Sequence, residues 1–173
     1  VSETLRASDI VRGLRSYFIG GASNLQKVSA RKIVEDCVER LQKNADKAGV
    51  TLEKKFEHQN DALLVDVVQL NTAIGNLLKN AIDASEAGMH VTVCVSDEKN
   101  MLSIRVIDQA TLLESDVIEQ VFRPFYSNKK DGLGLGLSVS QSLVENNGGV
   151  LRYQSQPEKC FEILLPIGDT TDA

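Results

Sequence analysis

The stretch Asp66-Val67-Val68-Gln69-Leu70-Asn71-Thr72-Ala73-Ile74-Gly75-Asn76-Leu77-Leu78-Lys79-Asn80-Ala81-Ile82-Asp83 decides how the rest of the chain is read. At about 100° per residue, Gln69, Thr72, Asn80 and Asp83 all fall within about 40° of Asn76 on a helical projection. Val67, Leu70, Ile74, Leu77, Leu78, Ala81 and Ile82 cover the opposite side. The spacing predicts a helix from Asp66 to about Ser85 with one buried face. Its polar face carries amides and hydroxyls with one carboxylate, where an ordinary surface helix carries Lys and Glu. Such a ribbon is either a solvated face that happens to be amide-rich or a wall facing a ligand. Amide oxygens suit the second role, because Mg²⁺ takes only one or two protein ligands and fills its shell with phosphates and water.

Working outward, Ser29 reads as the N-cap of an earlier helix with Ile33, Val34, Cys37, Val38, Leu41, Ala45 and Ala48 on its inner side, closed by Gly49. Val50 to Glu57 is an imperfect strand, since Lys54 falls on the side of Leu52 and Phe56, and Ala62 to Val65 is a short apolar run. Downstream, Val91, Val93 and Val95 alternate with Thr92 and Cys94, and Leu102, Ile104 and Val106 alternate with Ser103 and Arg105. These are two strands, joined over Asp97 to Asn100 by a hairpin of four or five residues. Residues 109–134 have no steady period and suggest a long functional loop with a short helix near Ser115–Val121. A helix over about Leu135–Asn146 and strands Val150–Ser155 and Phe161–Ile167 follow. The first 20 residues read as one more helix, with Ala7, Val11, Leu14 and Phe18 forming a narrow seam that needs a partner. The fold class is α/β: a two-layer sandwich of a mixed sheet packed on helices, with an N-terminal helical segment.

Composition narrows the function. The chain has 173 residues, a formal charge of −5 and 42% hydrophobic residues. That balance disfavours a nucleic-acid-binding field, and no apolar run approaches the roughly 18 residues of a membrane span. Three cysteines, Cys37, Cys94 and Cys160, without close spacing argue against a disulfide framework and a zinc site. A reducing cytoplasm is the expected setting.

Two further features carry chemistry. Asp131-Gly132-Leu133-Gly134-Leu135-Gly136-Leu137-Ser138 stands directly before a helix. Its glycines would let backbone N–H groups approach phosphate oxygens at the positive end of the helix, although a plain flexible turn has the same composition. Lys129 and Lys130 just upstream suit a triphosphate, or form a solvated loop pair. Asp108, at the end of a strand, can accept a hydrogen bond from a purine amine or simply shape a turn.

Together these motifs resemble a known family. Asn76-Leu-Leu-Lys-Asn80-Ala is similar to the N box of the sensor histidine kinase catalytic domain, in the GHKL superfamily shared with gyrase, Hsp90 and MutL. Phe122-Arg-Pro-Phe-Tyr-Ser-Asn-Lys129 resembles the F box and the start of the ATP lid. Gly132-Leu-Gly-Leu-Gly-Leu-Ser138 resembles the second glycine box, and Leu143-Val-Glu-Asn-Asn-Gly-Gly149 the helix end that follows it. Residues 5–20 resemble the second dimerisation helix of nitrogen- and oxygen-sensing kinases.

The resemblance implies a Bergerat-type ATP-binding fold over residues 22–168, the end of a dimerisation helix over 1–21 and a tail over 169–173. It implies ATP and Mg²⁺ as ligands. Asn80 would be the metal ligand, with Asn76 one turn earlier facing the same region. Asp83 would line the pocket, and Asp108 would bind the adenine amine beside Ala110. Lys129 and the Gly132–Leu137 backbone (Gly132, Leu133, Gly134, Leu135, Gly136, Leu137) would hold the phosphates. Catalysis would rest on Asn76, Asn80 and Lys129. The ATPase branches carry a Glu at the place of Asn76; an amide cannot take a proton from water, so phosphoryl transfer is favoured over hydrolysis and a gyrase- or Hsp90-like clamp is disfavoured.

Two departures stand out. The family's first glycine box is Asp-x-Gly-x-Gly, but here it is Asp108-Gln-Ala110-Thr-Leu112. If either position needs positive φ, Ala110 and Leu112 are strained, and the alternative is a degenerate, non-catalytic docking module with weak or no ATP binding. The family's phosphoacceptor histidine is also missing, since His58 and His90 lack its helical context. The acceptor would lie upstream, on a dimerisation domain, or on another protein. The implied partners are a phosphoacceptor-bearing dimerisation domain upstream, a cognate response regulator and a second copy of the parent, with no nucleic acid and no membrane contact within this chain; the parent is either soluble or an inner-membrane sensor.

Overall fold

The computed structural model describes residues 24–127 and 132–167. The helix expected over 1–21, the Lys129–Lys130 pair, Asp131 and the tail lie outside the described residues. Eleven elements follow one another among the described residues: β1 Leu25–Ser29, α1 Ala30–Ala48, β2 Thr51–Glu57, β3 Ala62–Asp66, α2 Val67–Ala84, β4 His90–Glu98, β5 Met101–Asp108, α3 Ser115–Ile118, α4 Gly136–Asn146, β6 Val150–Gln154 and β7 Cys160–Pro166.

Local chemistry sets the helix ends. The Ser29 hydroxyl accepts the Lys32 N–H at 3.2 Å and donates to the Asp61 carboxylate, which holds that carboxyl below its usual range. Gly49 ends α1 at φ 70° with its N–H turned back to Ala45 and Asp46. Asp66 caps α2, its Oδ1 accepting from the N–H groups of Val68 and Gln69 at 3.0 and 3.1 Å.

The main sheet has the order β2-β4-β5-β7-β6, with β2 parallel to β4 and the other pairs antiparallel. It is the expected mixed sheet, and α1, α2 and α4 cover one face. Alternation sends Val91, Val93, Val95, Leu102, Ile104, Val106, Phe161, Ile163 and Leu165 into that interface. There they meet Leu70, Ile74, Leu77 and Leu78 of α2 and Val139, Leu143 and Val144 of α4, which form one core. Lys54 is tolerated because β2 is an edge strand and leaves it exposed.

The helix-free face holds a polar cluster. Glu162 is 2% exposed and accepts from Ser103 Oγ at 2.6 Å, Arg152 Nε at 2.6 Å and Gln154 Nε2 at 2.7 Å. Burial pushes the neighbouring Cys160 thiol up to about 11, and Cys37 on the buried side of α1 is raised to about 11 for the same reason.

Three expectations need correction. The β4–β5 hairpin runs on to the Glu98–Met101 pair, so its loop is the two residues Lys99-Asn100, with Lys99 at φ 56°, and not four or five. The short helix stops at Ile118, not Val121. Strand β1, which pairs antiparallel with β3, was not anticipated, because Leu25, Gln26 and Lys27 are all exposed and show no alternation.

Candidate functional site

Four pieces meet at one end of the sandwich: the later turns of α2, the glycine loop entering α4, the end of β5 and the residues before β7. The amide ribbon of α2 is divided between two roles. Near its start, Gln69 Oε1 accepts from Asn147 Nδ2 at 3.3 Å, and Asn147 Oδ1 accepts the Asp66 N–H at 2.7 Å, which ties α2 to the end of α4. Asn76 Nδ2 donates to Ser140 Oγ at 3.2 Å and to the Gly136 carbonyl at 3.4 Å. One turn on, Asn80 Nδ2 lies 3.9 Å from where a Cβ on Gly136 would sit. The structure thus brings Asn76 and Asn80 against the first turn of α4, while Asp83, near the end of α2, is exposed.

The glycine loop is fixed by close backbone contacts. Gly134 sits at φ 65°, and a Cβ there would stand 2.5 Å from Phe125 C and Tyr126 O. The Phe125 N–H donates to the Gly134 carbonyl at 2.9 Å. The lid is seated at its base as well: the Leu113 N–H donates to the Tyr153 hydroxyl at 3.2 Å, and Phe122 meets Phe161 edge-on at 6.1 Å. Gly132 and Leu133 are exposed, Leu135 is buried and Leu137 packs against the core. Unlike α1 and α2, α4 has no side-chain cap at its N-cap residue, Leu135.

Asp108 lies on the helix side of the sheet, in phase with Leu102, Ile104 and Val106, and is 6% exposed. Its Oδ1 accepts the Ala110 N–H at 2.9 Å, so it does shape the turn, and also Lys159 Nζ at 2.6 Å. Lys159 Nζ reaches the Ala110 carbonyl at 3.4 Å as well. Sequence reasoning missed Lys159, which stands 51 positions from its partner in what looks like a polar turn. Neither position of the altered glycine box needs positive φ: among the described non-glycine residues only Lys99 and Phe125 have it. Ala110 and Leu112 take ordinary backbone, and the Leu112 side chain is 53% exposed. An open depression of about 510 Å³ borders Asp108 and Lys159, but Thr92 and Ile107 in its lining belong to the helix-free face. It is not the space between α2 and the glycine loop. Lys129 lies outside the described residues, as does Asn128.

The mixed sheet, the amide-bearing helix and the glycine loop under a lid define an ATP-binding α/β sandwich. The chain belongs to the histidine kinase-, DNA gyrase B- and HSP90-like ATPase family, which matches residues 65–169. Within it the chain is an ATP-binding catalytic domain of the sensor histidine kinase kind, and the matches do not favour the non-catalytic docking module. It is 29% identical to the sensor protein FixL of Bradyrhizobium diazoefficiens, over 96% of this chain and 34% of that protein. It is 27% identical to sporulation kinase A of Bacillus subtilis, over 80% of this chain and 23% of that one. The chain therefore spans about a third or less of the length of these curated relatives. Among solved structures, the catalytic domain of histidine kinase ThkA superposes with a TM-score of 0.76 at 17% identity, over 83% of this chain and 95% of that one. Histidine kinase ThkA in complex with response regulator protein TrrA gives 0.81 at 16% identity, over 98% and 50%. Among the described residues, no helix is long and apolar enough to cross a membrane.

Proposed function

We propose that this chain holds ATP with Mg²⁺ between α2, the glycine loop and the end of β5, and transfers the γ-phosphoryl to a histidine outside it. The observation that carries the reading is the Asn80 amide beside Gly136 at the uncapped start of α4. Free N–H groups at a helix N-terminus attract phosphate oxygens, and the lack of a side chain at Gly136 leaves space for them. The Gly132–Leu137 backbone and Lys129 hold the phosphates. Asp83 lines the pocket, and Asp108 accepts from the adenine amine with Ala110 beside it.

The donor chemistry fits magnesium. No cluster of three or more His, Cys, Asp or Glu side chains able to hold a metal occurs among the described residues. That suits a cation that arrives with phosphates and takes an Asn80 oxygen. When bound, the ion would neutralise charge on the phosphates. Asn76 orients the start of α4 through Ser140 and the Gly136 carbonyl, and its amide has no basic site to activate water. In the transfer, a histidine nitrogen forms a bond to the γ-phosphorus, the bond to the β–γ bridging oxygen breaks, and ADP leaves. The chain's contribution is positioning and charge stabilisation, with the lid over about Gln109–Asp131 closing on the nucleotide.

The proposed organisation is a dimerisation-helix end at 1–21, the catalytic domain at 22–168 and a tail at 169–173. The proposed partners are an upstream histidine-bearing dimerisation domain, a second copy of the parent and a response regulator, with the domain working in the cytoplasm. The test is to add a helical segment bearing the acceptor histidine together with γ-labelled ATP. Acid-labile label on that segment is expected; none with any histidine-bearing segment would count against the proposal.

A further inference from the structure

The Asp108–Lys159 pair has no function so far beyond the carboxylate's hydrogen bond to adenine. Both side chains are nearly out of solvent, at 4% and 9% exposed. Removing either partner of such a pair is costly, so the two groups hold each other in place. The pair is also incompletely used. Oδ1 takes both the Ala110 N–H and Lys159 Nζ, while no described residue donates to Oδ2. An ammonium has three N–H groups, and Lys159 spends one on Asp108 and one on the Ala110 carbonyl. An unoccupied acceptor and an unoccupied donor therefore stand side by side on the helix side of the sheet. The Lys159 position shares that side because it alternates with Phe161, Ile163 and Leu165.

We propose that Lys159 is a base-reading residue: with Asp108 Oδ2 accepting from the 6-amino group of adenine, the third Lys159 N–H donates to the adjacent ring nitrogen N1. An adenine edge presents a donor and an acceptor next to each other, the complement of this pair. The Ala110 carbonyl and N–H fix the geometry from both sides. The altered glycine box thereby gains a positive role, since its backbone anchors the two reading groups. This inference rests on the ATP reading proposed above and adds the residue that selects the base.

The test compares ATP with 1-deaza-ATP, in which N1 is replaced by C–H, by calorimetric titration of the wild-type chain, Lys159→Met and Lys159→Arg. A hydrogen bond from a charged donor predicts that the wild type prefers ATP by about tenfold. Lys159→Met should bind the two within about twofold, and Lys159→Arg should recover a preference. A purely structural role for Lys159 would weaken both nucleotides alike and leave their ratio unchanged, which would overturn the inference. Tighter ATP binding by Lys159→Met would also overturn it, by making Lys159 a plug. If Lys159→Met does not fold, the Nζ resonance of ¹⁵N-lysine-labelled wild type decides: it should shift with ATP and stay with 1-deaza-ATP, and equal shifts would refute the assignment. If the wild type binds neither nucleotide at millimolar concentration, the ATP reading itself fails. Equal binding of both leaves that reading intact and removes only the role given to Lys159.

Discussion

Gly134→Ala tests whether the lid and the glycine loop act as one unit. At φ 65° an alanine pays roughly 1–2 kcal/mol for the left-handed conformation. Its Cβ would stand 2.5 Å from Phe125 C and Tyr126 O, both backbone atoms that no side-chain rotation can relieve. The two loops must move apart, which breaks the 2.9 Å bond from Phe125 N–H to the Gly134 carbonyl, worth about 1 kcal/mol. The total is about 2–3 kcal/mol, or about 30- to 150-fold in an equilibrium constant. Because the contact joins two surface loops and none of the buried core, the loss should fall on nucleotide affinity more than on global unfolding. Gly88→Ala is the control: Gly88 has φ 90° with nothing within 4 Å of a Cβ, so it bears the backbone cost without the steric one. Titration with Mg-ATP and a thermal melt of each variant read the two effects separately. Affinity of Gly134→Ala within threefold of wild type would refute the coupling of lid to loop.

Three other outcomes follow from the packing and the titrations. Leu77→Ala empties a fully buried position under the sheet and should cost about 2–5 kcal/mol in urea unfolding. Asp61 titrates low in the folded state because Ser29 donates to it, so its contribution is present above the unfolded carboxyl value of about 4 and fades as pH falls through the depressed folded value. Asp61→Asn should therefore flatten the loss of denaturation midpoint below about pH 4 while lowering the midpoint at pH 7. Cys37 and Cys160, each held near 11 chiefly by burial, should resist alkylation at pH 8 in the native protein and react on unfolding, followed by mass spectrometry of labelled peptides.

What could be read from the sequence was whatever repeats at a fixed local period or sits at a cap. The α2 face follows from 3.6-residue spacing, and Ser29, Gly49 and Asp66 mark helix ends by chemistry that acts over one turn. Strands β4 and β5 alternate in residue type because one face packs on the helices and the other carries Thr92, Cys94, Ser103 and Arg105, although that second face is largely buried too. Strand β1 is exposed for most of its length, so no pattern betrays it. The site was legible as residue types but not as partners: Asn76 meets Ser140 across 64 positions, and Asp108 meets Lys159 across 51. A lysine in Gln156-Pro-Glu-Lys159 looks like a solvated turn charge until the sheet brings it beside the carboxylate. The condition attached to the first glycine box is not met, since Ala110 and Leu112 take ordinary φ and the turn is held by Asp108 itself.

The most direct measurement is calorimetric titration of the chain with ATP, in Mg²⁺ and in chelator, with Asn80→Ala beside the wild type. Asn80 lies next to Gly136 at the mouth of the site and not in the buried core, so the variant should keep its melting temperature within a few degrees. The account predicts saturable binding that strengthens with magnesium and that Asn80→Ala weakens about tenfold or more. No binding at millimolar nucleotide, or binding indifferent to both magnesium and the Asn80 amide, would contradict it.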